Sequence, residues 1–242
     1  QQLQPNDEPV AKYSPANQPL VLLVADTLKA LQDIAAGYRM QLTGTVIAVT
    51  GSVGKTSTRQ MIAACLRPFL RVHETAGNLN NEIGLPQTLL EAAEDDEAVI
   101  LEMGMRGPGE IGLLSRIARP DIALITCIGW SHIGRLGSRE AIRDAKWEIV
   151  SGIRPGGLLI LNADDPMLTE AVHALPDHCR LAMICTTEHG CHVARTLSRP
   201  ADFILSAEDI SLNAGQTAFT ACCAETGGPA FRTPVTLPFP GS

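Results

Sequence analysis

The residues best suited to chemistry lie in a short glycine-containing segment, residues 50–57, with the sequence TGSVGKTS. Gly51 and Gly54 allow the backbone to bend so that its N–H groups point at phosphate oxygens, and the start of a helix adds partial positive charge. The Lys55 ammonium can reach terminal phosphates, and the Thr56 hydroxyl can ligate Mg²⁺. The segment therefore predicts a polyphosphate site that comprises Gly51, Ser52, Val53, Gly54, Lys55, Thr56 and Ser57.

This segment departs from the common phosphate-loop pattern G-x-x-x-x-G-K-[ST] at its first position. The pattern has glycine where this chain has Val49, and Gly51 comes two residues later. An ordinary glycine-rich turn is therefore the alternative. The apolar strand pattern before the segment and the helix pattern after it favour a phosphate loop, because that motif requires this context.

Two side chains further along the chain could complete a metal site. Glu102 ends an apolar run, where a carboxylate at the carboxyl edge of a parallel sheet can hold Mg²⁺ together with Thr56. His132 follows the next apolar run, and neutral imidazole can bind a second metal ion. Their plainer interpretations are a solvated glutamate and a packed or surface histidine. Lys146 is a cation and so the wrong partner for a metal ion, and its residue type alone predicts a surface lysine.

An asparagine-rich turn, with Asn78, Asn80 and Asn81, precedes a helical pattern. Asparagine is common in turns and helix caps, so the turn has a structural interpretation. Its amides could equally contact phosphate or another substrate, and the residues alone leave these two interpretations open. Arg106, close to Glu102 in sequence, could screen substrate anions.

Alternating strands and helices must position these residues. Continuous apolar runs predict buried strands at residues 46–49, 98–101, 122–125 and 158–161. Helical patterns predict helices at residues 55–66, 110–118, 138–150 and 166–174. This alternation predicts an α/β fold with a mostly parallel sheet and helices on both faces, whose carboxyl edge collects the chemical side chains.

The two ends of the chain differ from this middle part. An early helix, capped by Asp26 or Thr27, is expected to pack through one apolar face: Leu28, Leu31, Ile34 and Ala35. Asp164 and Asp165 are expected to cap the last predicted helix. After residue 201, short alternating runs predict a small antiparallel addition to the sheet.

Composition excludes several classes of function. The 242 residues carry a net charge of −7 without a basic stripe, so nucleic acid is not an expected partner. No apolar run of about 18 residues exists, so no membrane span is expected. Seven cysteines, an odd number in a long chain, favour reduced thiols in the cytoplasm. Cysteines and histidines between residues 178 and 192 could bind a metal ion, but their spacing favours incidental thiols beside a short strand.

Several segments together resemble the Mur ligases, and in particular the branch that adds D-alanyl-D-alanine. The late first glycine of residues 50–57 is similar to that of the family's nucleotide loop. The other matching segments are GNLNNEIGLP at residues 77–86, LEMGMRGPGEI at 101–111, SHIGRLGS at 131–138, AKWEI at 145–149 and NADD at 162–165. The resemblance covers residues 24–242.

The resemblance implies an ATP- and Mg²⁺-dependent peptide ligase that makes a precursor of the cell wall. ATP would phosphorylate the terminal carboxylate of UDP-N-acetylmuramoyl tripeptide, and the amine of D-alanyl-D-alanine would then displace phosphate. The implied roles are catalysis for Lys55, His132 and Lys146, metal binding for Thr56, Glu102, His132 and Lys146, and nucleotide contact for Asn78 and Asn81 besides the loop. The resemblance also implies that CO₂ carbamylates Lys146, which replaces a cation by an anion able to hold Mg²⁺.

The family has three domains, and the resemblance implies that this sequence is a fragment. Residues 1–43 would be a linker and the tail of the N-terminal substrate domain, and residues 44–242 an incomplete central ATP-binding domain. The C-terminal ligase domain would be absent. We expect a monomer that holds phosphates and metal but does not turn over alone. The alternatives are another Mur-type or folylpolyglutamate-type ligase, a P-loop module that binds nucleotide without catalysis, or a remnant without nucleotide affinity.

Overall fold

The structure, a computed structural model, describes residues 11–12, 21–213, 215–226, 228 and 230–237. Most of the predicted linker, residues 1–19, and the closing residues 238–242 lie outside the described residues. Within the described ranges, no helix is long and apolar enough to cross a membrane.

The described residues form eleven strands and eight α-helices. The strands are β1 (Ala11–Lys12), β2 (Val21–Leu22), β3 (Thr45–Thr50), β4 (Val72–Glu74), β5 (Ala98–Glu102), β6 (Ile122–Ile125), β7 (Leu158–Asn162), β8 (Arg180–Cys185), β9 (Phe203–Asn213), β10 (Gln216–Glu225) and β11 (Ala230–Leu237). The helices are α1 (Thr27–Arg39), α2 (Lys55–Leu66), α3 (Gly84–Glu91), α4 (Glu110–Ala118), α5 (Ile133–Leu136), α6 (Arg139–Trp147), α7 (Pro166–Ala171) and α8 (Glu188–Thr196). Short 3₁₀ helices follow α6 and α7, at Glu148–Gly152 and Val172–Ala174.

Nine of these strands form one sheet in the order β11-β10-β9-β8-β7-β6-β3-β5-β4. The strands from β9 to β4 in this order run parallel, and β10 and β11 complete an antiparallel edge. The predicted mostly parallel sheet and its antiparallel addition are therefore confirmed. The addition is not a separate unit, because β9 pairs with β8 and continues the sheet.

Helices cover both faces of the parallel part of the sheet, as predicted. Alternate residues of β3 illustrate this arrangement: Val46 and Ala48 belong to the main core, whereas Ile47 packs with Ala63 of α2 and Ile100 of β5 in a second cluster. A strand buried on both faces requires a continuous apolar run, which explains the sequence of β3 and β5. This packing fixes the ends of both strands, where the predicted chemical residues begin.

Tertiary contacts divide one of the predicted helices. The helix predicted at residues 138–150 is α6 followed by a 3₁₀ helix. The Glu148 carboxylate lies at the start of α4, where it accepts from the backbone N–H groups of Gly109 (2.6 Å) and Gly112 (3.0 Å). The helix predicted at residues 166–174 also ends as a 3₁₀ turn. Strand β4 and helix α8 were not predicted.

The predicted apolar face of α1 is wrong in part. Asp26 caps the helix, and Ala35 is buried, both as predicted. Leu28 and Ile34 are exposed instead. The helix is anchored by Arg39, whose buried guanidinium donates to three backbone carbonyl groups and one carboxylate. Apolar periodicity cannot reveal such an anchor, because the anchoring side chain is charged.

Two of the seven cysteines contradict the prediction of reduced thiols. Cys185, at the end of β8, and Cys191, in α8, form a disulfide with their Cα atoms 5.3 Å apart. The other five cysteines are free. In the described part of the chain, no group of three or more His, Cys, Asp or Glu side chains is arranged to hold a metal ion.

Candidate nucleotide and metal site

The loop between β3 and α2 bends at two glycines with positive φ. Gly51 has a φ of 148°, and a Cβ atom at this position would lie 1.8 Å from Thr126 Oγ1. Gly54 has a φ of 84° and directly precedes α2. Side chains are disfavoured in this backbone region. The first glycine lies two residues later than in the common pattern, and glycine is required there because a side chain at position 51 would collide with Thr126.

Three hydrogen bonds with nitrogen or oxygen donors, and a longer one from Cys127 Sγ to the Val53 carbonyl (3.9 Å), hold the loop against the segment that follows β6, residues 126–131. The Ser52 N–H donates to the Cys127 carbonyl at 2.9 Å. The Thr126 hydroxyl donates to the Val53 carbonyl at 2.5 Å, and the Ser131 hydroxyl donates to the Ser52 carbonyl at 3.1 Å. The loop is thus braced from one side before any ligand binds.

The loop keeps its remaining backbone donors free. The N–H groups of residues 53–57 have no acceptor within the described ranges. They lie at the start of α2, where the helix carries partial positive charge. The Lys55 ammonium donates to the Gly51 carbonyl at 2.9 Å, so it also lies at the loop. Free amides and one ammonium group are the donor set that binds phosphate oxygens.

Glu102 ends β5 beside this loop and is only 2% exposed. Parallel pairing places it opposite Val49, the residue before the last one of β3. Its carboxylate accepts from the Thr56 hydroxyl at 2.9 Å and from the Asn80 side-chain amide at 2.8 Å. The structure therefore brings Thr56 and Glu102 together. Asn80 is a partner of Glu102 to which the sequence interpretation gave no role of its own.

Asn80 reaches Glu102 because Gly104 leaves room for it. A Cβ atom at position 104 would lie 2.7 Å from Asn80 Oδ1, and the Gly104 N–H donates to the Asn80 carbonyl at 2.8 Å. The sequence carries no local signal for this contact, because Asn80 and Glu102 lie 22 positions apart. The neighbouring Asn81 has a structural role, because its side-chain oxygen accepts from the N–H groups of Ile83 (3.1 Å) and Gly84 (2.8 Å) in the turn that leads into α3.

The pair formed by Thr56 and Glu102 suits Mg²⁺ bound to a nucleotide. Mg²⁺ prefers oxygen ligands and usually keeps several waters, with one or two protein ligands and the phosphates completing its shell. The hydroxyl and carboxylate oxygens of this pair are 2.9 Å apart and adjoin the free amides of the loop. Two protein oxygens beside a phosphate site meet this requirement without a larger cluster of carboxylates.

A cleft of about 290 Å³ opens beside the loop and is lined by six of the twelve predicted site residues, though not by Thr56 or Glu102. Its lining includes Gly51, Lys55, Asn78, Asn81, His132 and Lys146. Besides Asn80, six further residues of the lining are not predicted site residues: Glu82, Met103, Gly104, Met105, Arg106 and Glu110. Arg106 lines the cleft, and its role as a screen for substrate anions stays a prediction. Glu110 carries no signal beyond its position in the first turn of α4.

Lys146 is a buried ammonium group in this cleft, only 2% exposed. It has no hydrogen-bond acceptor and no carboxylate within ion-pair distance among the described residues. Burial, and then the nearby charge of Lys55, lower the pKa of Lys146 to about 8, while Cys127 acts in the opposite direction. The interpretation as an ordinary surface lysine is therefore wrong for Lys146.

His132 begins α5 with a φ of 71° and lies in the same cleft. Partial burial, followed by the charges of Lys146 and Lys55, lowers the pKa of His132. A lowered pKa keeps the imidazole neutral, which is the form that binds metal ions or accepts a proton. The structure thus places His132 and Lys146 in one cleft, with Lys55 close enough to influence both.

Asp164 and Asp165 differ in what they do. Asp165 caps α7, as predicted, by accepting from the Met167 N–H at 3.0 Å, and its second oxygen accepts from the Ile128 N–H at 2.6 Å. Asp164 does not cap that helix. It accepts instead from the hydroxyl and N–H groups of Thr186 and Thr187, and these hydrogen bonds lower its pKa although burial acts to raise it.

Comparison with known proteins points to the same part of the chain. Residues 49–211 match the family described as the Mur ligase middle domain. The UDP-N-acetylmuramoyl-tripeptide–D-alanyl-D-alanine ligase of Bacillus subtilis is 52% identical over 158 residues, which are 65% of this chain and 35% of that protein. The chain therefore spans about a third of the length of this relative.

Two solved structures show the same fold. MurF from Acinetobacter baumannii superposes with a TM-score of 0.77 at 32% identity, over 94% of this chain and 46% of that one. MurF ligase from Thermotoga maritima, solved in complex with ADP, superposes with a TM-score of 0.69 at 27% identity, over 92% of this chain and 47% of that one. The chain covers about half of each structure.

Proposed function

The chain belongs to the Mur ligase family, whose middle domain it contains, and we propose that it is the ATP-binding core of a ligase that adds D-alanyl-D-alanine to UDP-N-acetylmuramoyl tripeptide. The observation that carries the proposal is the Thr56–Glu102 pair beside the free amides of residues 53–57. The names of the Bacillus relative and of the two MurF structures support the choice of substrate and acceptor. In this proposal residues 44–242 are the central domain, and residues 1–43 precede it.

The reaction would bring several anions together, so it needs positioning and positive charge. The amides of residues 53–57 and the Lys55 ammonium would hold and orient the β- and γ-phosphates of ATP. Thr56 and Glu102 would hold Mg²⁺, which supplies further charge neutralisation. The γ-phosphoryl group passes to the substrate carboxylate and ADP leaves. The amine of D-alanyl-D-alanine then attacks the acyl phosphate, and inorganic phosphate leaves.

Lys146 would act after modification by CO₂. Nucleophilic attack on CO₂ needs the unprotonated amine, and a pKa of about 8 leaves an appreciable fraction of Lys146 in that form near neutral pH. The amine nitrogen bonds to the CO₂ carbon and loses one proton to solvent, which gives a carbamate anion. An anion next to Lys55 removes the repulsion between two ammonium groups and offers two oxygens to a metal ion, together with neutral His132.

Nucleotide binding to the chain tests the first part of the proposal. Isothermal titration with ATP in Mg²⁺ should show binding to the wild-type chain and a loss of at least about tenfold in affinity for Lys55→Ala, because the phosphates lose an ammonium partner. Lys29→Ala, at an exposed position of α1, is the matched control and should bind like wild type. Equal affinity of Lys55→Ala and wild type would reject the phosphate site.

The acceptor is tested with this domain in its full-length ligase. Release of inorganic phosphate should require ATP, UDP-N-acetylmuramoyl tripeptide and D-alanyl-D-alanine together. Single amino acids should not replace the dipeptide. Phosphate release with a single amino acid, and not with D-alanyl-D-alanine, would assign the chain to another branch of the family.

Carbamylation is tested by ¹³C NMR of the chain in ¹³C-bicarbonate. Wild type should show a carbamate resonance that disappears in Lys146→Arg, because the guanidinium does not react with CO₂. The Lys29→Arg variant should keep the resonance. A spectrum in which Lys146→Arg retains the signal would show that another amine is modified, and the role proposed for Lys146 would then be wrong.

We also propose a monomer in the cytoplasm, where ATP and UDP-linked precursors are available. The Cys185–Cys191 disulfide is unusual for that compartment, because cytosolic thiols are mostly kept reduced. Sedimentation velocity should give one species near 25.8 kDa. A concentration-dependent dimer would contradict the monomer.

A further inference from the structure

Four alternating charges extend from the metal site towards the β4 edge of the sheet. We call them the four-charge row: Arg67, Glu74, Arg59 and Glu102. Arg67 Nη2 lies 2.5 Å from Glu74 Oε1. Arg59 Nε lies 3.5 Å from Glu74 Oε2 and 3.8 Å from Glu102 Oε2. The row therefore ends on the carboxylate that is proposed to hold Mg²⁺.

Arg59 lies between two carboxylates and is hydrogen-bonded to neither. Its side chain is only 3% exposed, and its Nε and Nη1 atoms have no hydrogen-bond partner among the residues that the structure describes. Within the same part of the chain, Glu74 Oε2 is also buried without a hydrogen-bond partner. A buried guanidinium is costly unless it is paired, so Arg59 should bond whichever carboxylate is available to it.

The two carboxylates differ in their other partners. Glu102 Oε2 already accepts from Thr56, and Glu102 Oε1 accepts from Asn80. Glu74 Oε2 is closer to Arg59 Nε than Glu102 Oε2 is, and in the described part of the chain no hydrogen-bond donor competes for it. Glu74 is thus the better acceptor for Arg59, and its presence keeps the guanidinium from closing on Glu102.

We propose that Glu74 is a positioning residue of the metal site: it holds the Arg59 guanidinium away from Glu102 and so leaves the Glu102 carboxylate available to Mg²⁺. The inference rests on the proposed function, in which Glu102 and Thr56 bind Mg²⁺. A divalent cation at Glu102 repels Arg59, and the free oxygen of Glu74 accepts the displaced N–H group. Without the Glu74 charge, Arg59 has only Glu102 as a counter-ion and competes with Mg²⁺ for it.

The test is the Mg²⁺ dependence of binding of a non-hydrolysable ATP analogue to the chain. Glu74→Gln should raise the Mg²⁺ concentration for half-maximal binding by about tenfold, a usual size for coupling between adjacent charged groups. The double variant Arg59→Met/Glu74→Gln should return close to the wild-type value, because the competing cation is gone. Glu74→Asp, which keeps the charge, should show a smaller rise than Glu74→Gln.

Glu97→Gln is the matched control, since it removes an exposed glutamate from its ion pair with Arg71 and should leave the Mg²⁺ dependence unchanged. A wild-type Mg²⁺ dependence in Glu74→Gln would overturn the inference alone. The inference would also be overturned if the double variant needed as much Mg²⁺ for half-maximal binding as Glu74→Gln, or more. Loss of Glu74 would then weaken binding by destabilising the fold and not by releasing Arg59. A wild-type chain without Mg²⁺-dependent binding would overturn the proposed function and this inference together.

Discussion

The Thr56 hydroxyl donates to the Glu102 carboxylate at 2.9 Å and so joins the first turn of α2 to the end of β5. The two residues are separated by 46 positions in sequence. Parallel pairing of β3 with β5 brings them together, because the phosphate loop leaves one strand next to the end of the other. The contact links the free N–H groups of residues 53–57 to a buried carboxylate. Substitution of Glu102 therefore tests whether this carboxylate takes part in nucleotide binding.

Replacement of Glu102 by glutamine should remove the effect of Mg²⁺ on nucleotide binding. The variant keeps an acceptor for Thr56 but loses the negative charge that a divalent cation requires. We expect the affinity for ATP in Mg²⁺ to fall at least about tenfold, towards the value measured in EDTA. Glu170→Gln, at an exposed helix position, is the control. Calorimetry that finds unchanged Mg²⁺ enhancement in Glu102→Gln would exclude Glu102 as a ligand.

Gly51→Ala should destabilise the chain and weaken nucleotide binding. The new Cβ atom would lie 1.8 Å from Thr126 Oγ1, and the backbone would be strained as well. We expect a loss of about 3 kcal/mol in the free energy of unfolding. Gly77→Ala, with positive φ but open space around it, should lose only about 1 kcal/mol. Urea denaturation measures both, and equal losses would show that the contact with Thr126 does not matter.

Lys146→Met should stabilise the chain near neutral pH in CO₂-free buffer. The native pKa of Lys146 is lowered from 10.5 to about 8, so the native state resists protonation and the unfolded state does not. Below pH 8 wild type therefore carries the full cost of the buried charge, about 3 kcal/mol at about 1.4 kcal/mol per pKa unit. As the pH rises from 8 to 10.5, this cost declines and the two proteins converge.

The measurement is urea denaturation of both proteins across that pH range. Lys29→Met, at an exposed position, should differ from wild type by an amount that does not change with pH. A difference between Lys146→Met and wild type that is equally constant would show that burial does not lower the pKa of Lys146.

The cysteine pair should be visible in a thiol count. In denaturant without reductant, five of the seven cysteines should react with a thiol reagent, because Cys185 and Cys191 are bonded to each other. Reduction should raise the count to seven. Cys185→Ser should react at six positions without reductant, since its partner is released. Seven reactive thiols before reduction would mean that the pair does not form in the isolated chain.

The sequence predicts the strand, the glycine-containing loop and the helix around residues 50–57 because these signals are local. Glycines, lysine and threonine lie within residues 50–57, and the strand before them and the helix after them have patterns that can be read in order. The placement of Glu102 follows from one further rule, that parallel strands end at a common edge. The proposed roles of these residues in catalysis remain predictions.

Other features depend on contacts between distant segments, and no local pattern reveals them. The position of Asn80 against Glu102 requires the space left by Gly104. Arg39 anchors α1 in place of the apolar face expected from periodicity. The break after α6 follows from the bond between Glu148 and the start of α4. In each case a polar side chain forms a hydrogen bond with a backbone group or carboxylate that is distant in sequence. Hydrophobic periodicity carries no information about such contacts.

Asp165 connects the start of helix α7 with the segment that follows β6, residues 126–131. One of its oxygens holds the start of α7, and the other holds Ile128 within the segment that braces the phosphate loop at three points. A rigid-body shift of α7, whatever its origin, would therefore displace the loop at residues 51–54. Through this one carboxylate, movement on the β7–β8 side of the sheet would reach the proposed triphosphate site.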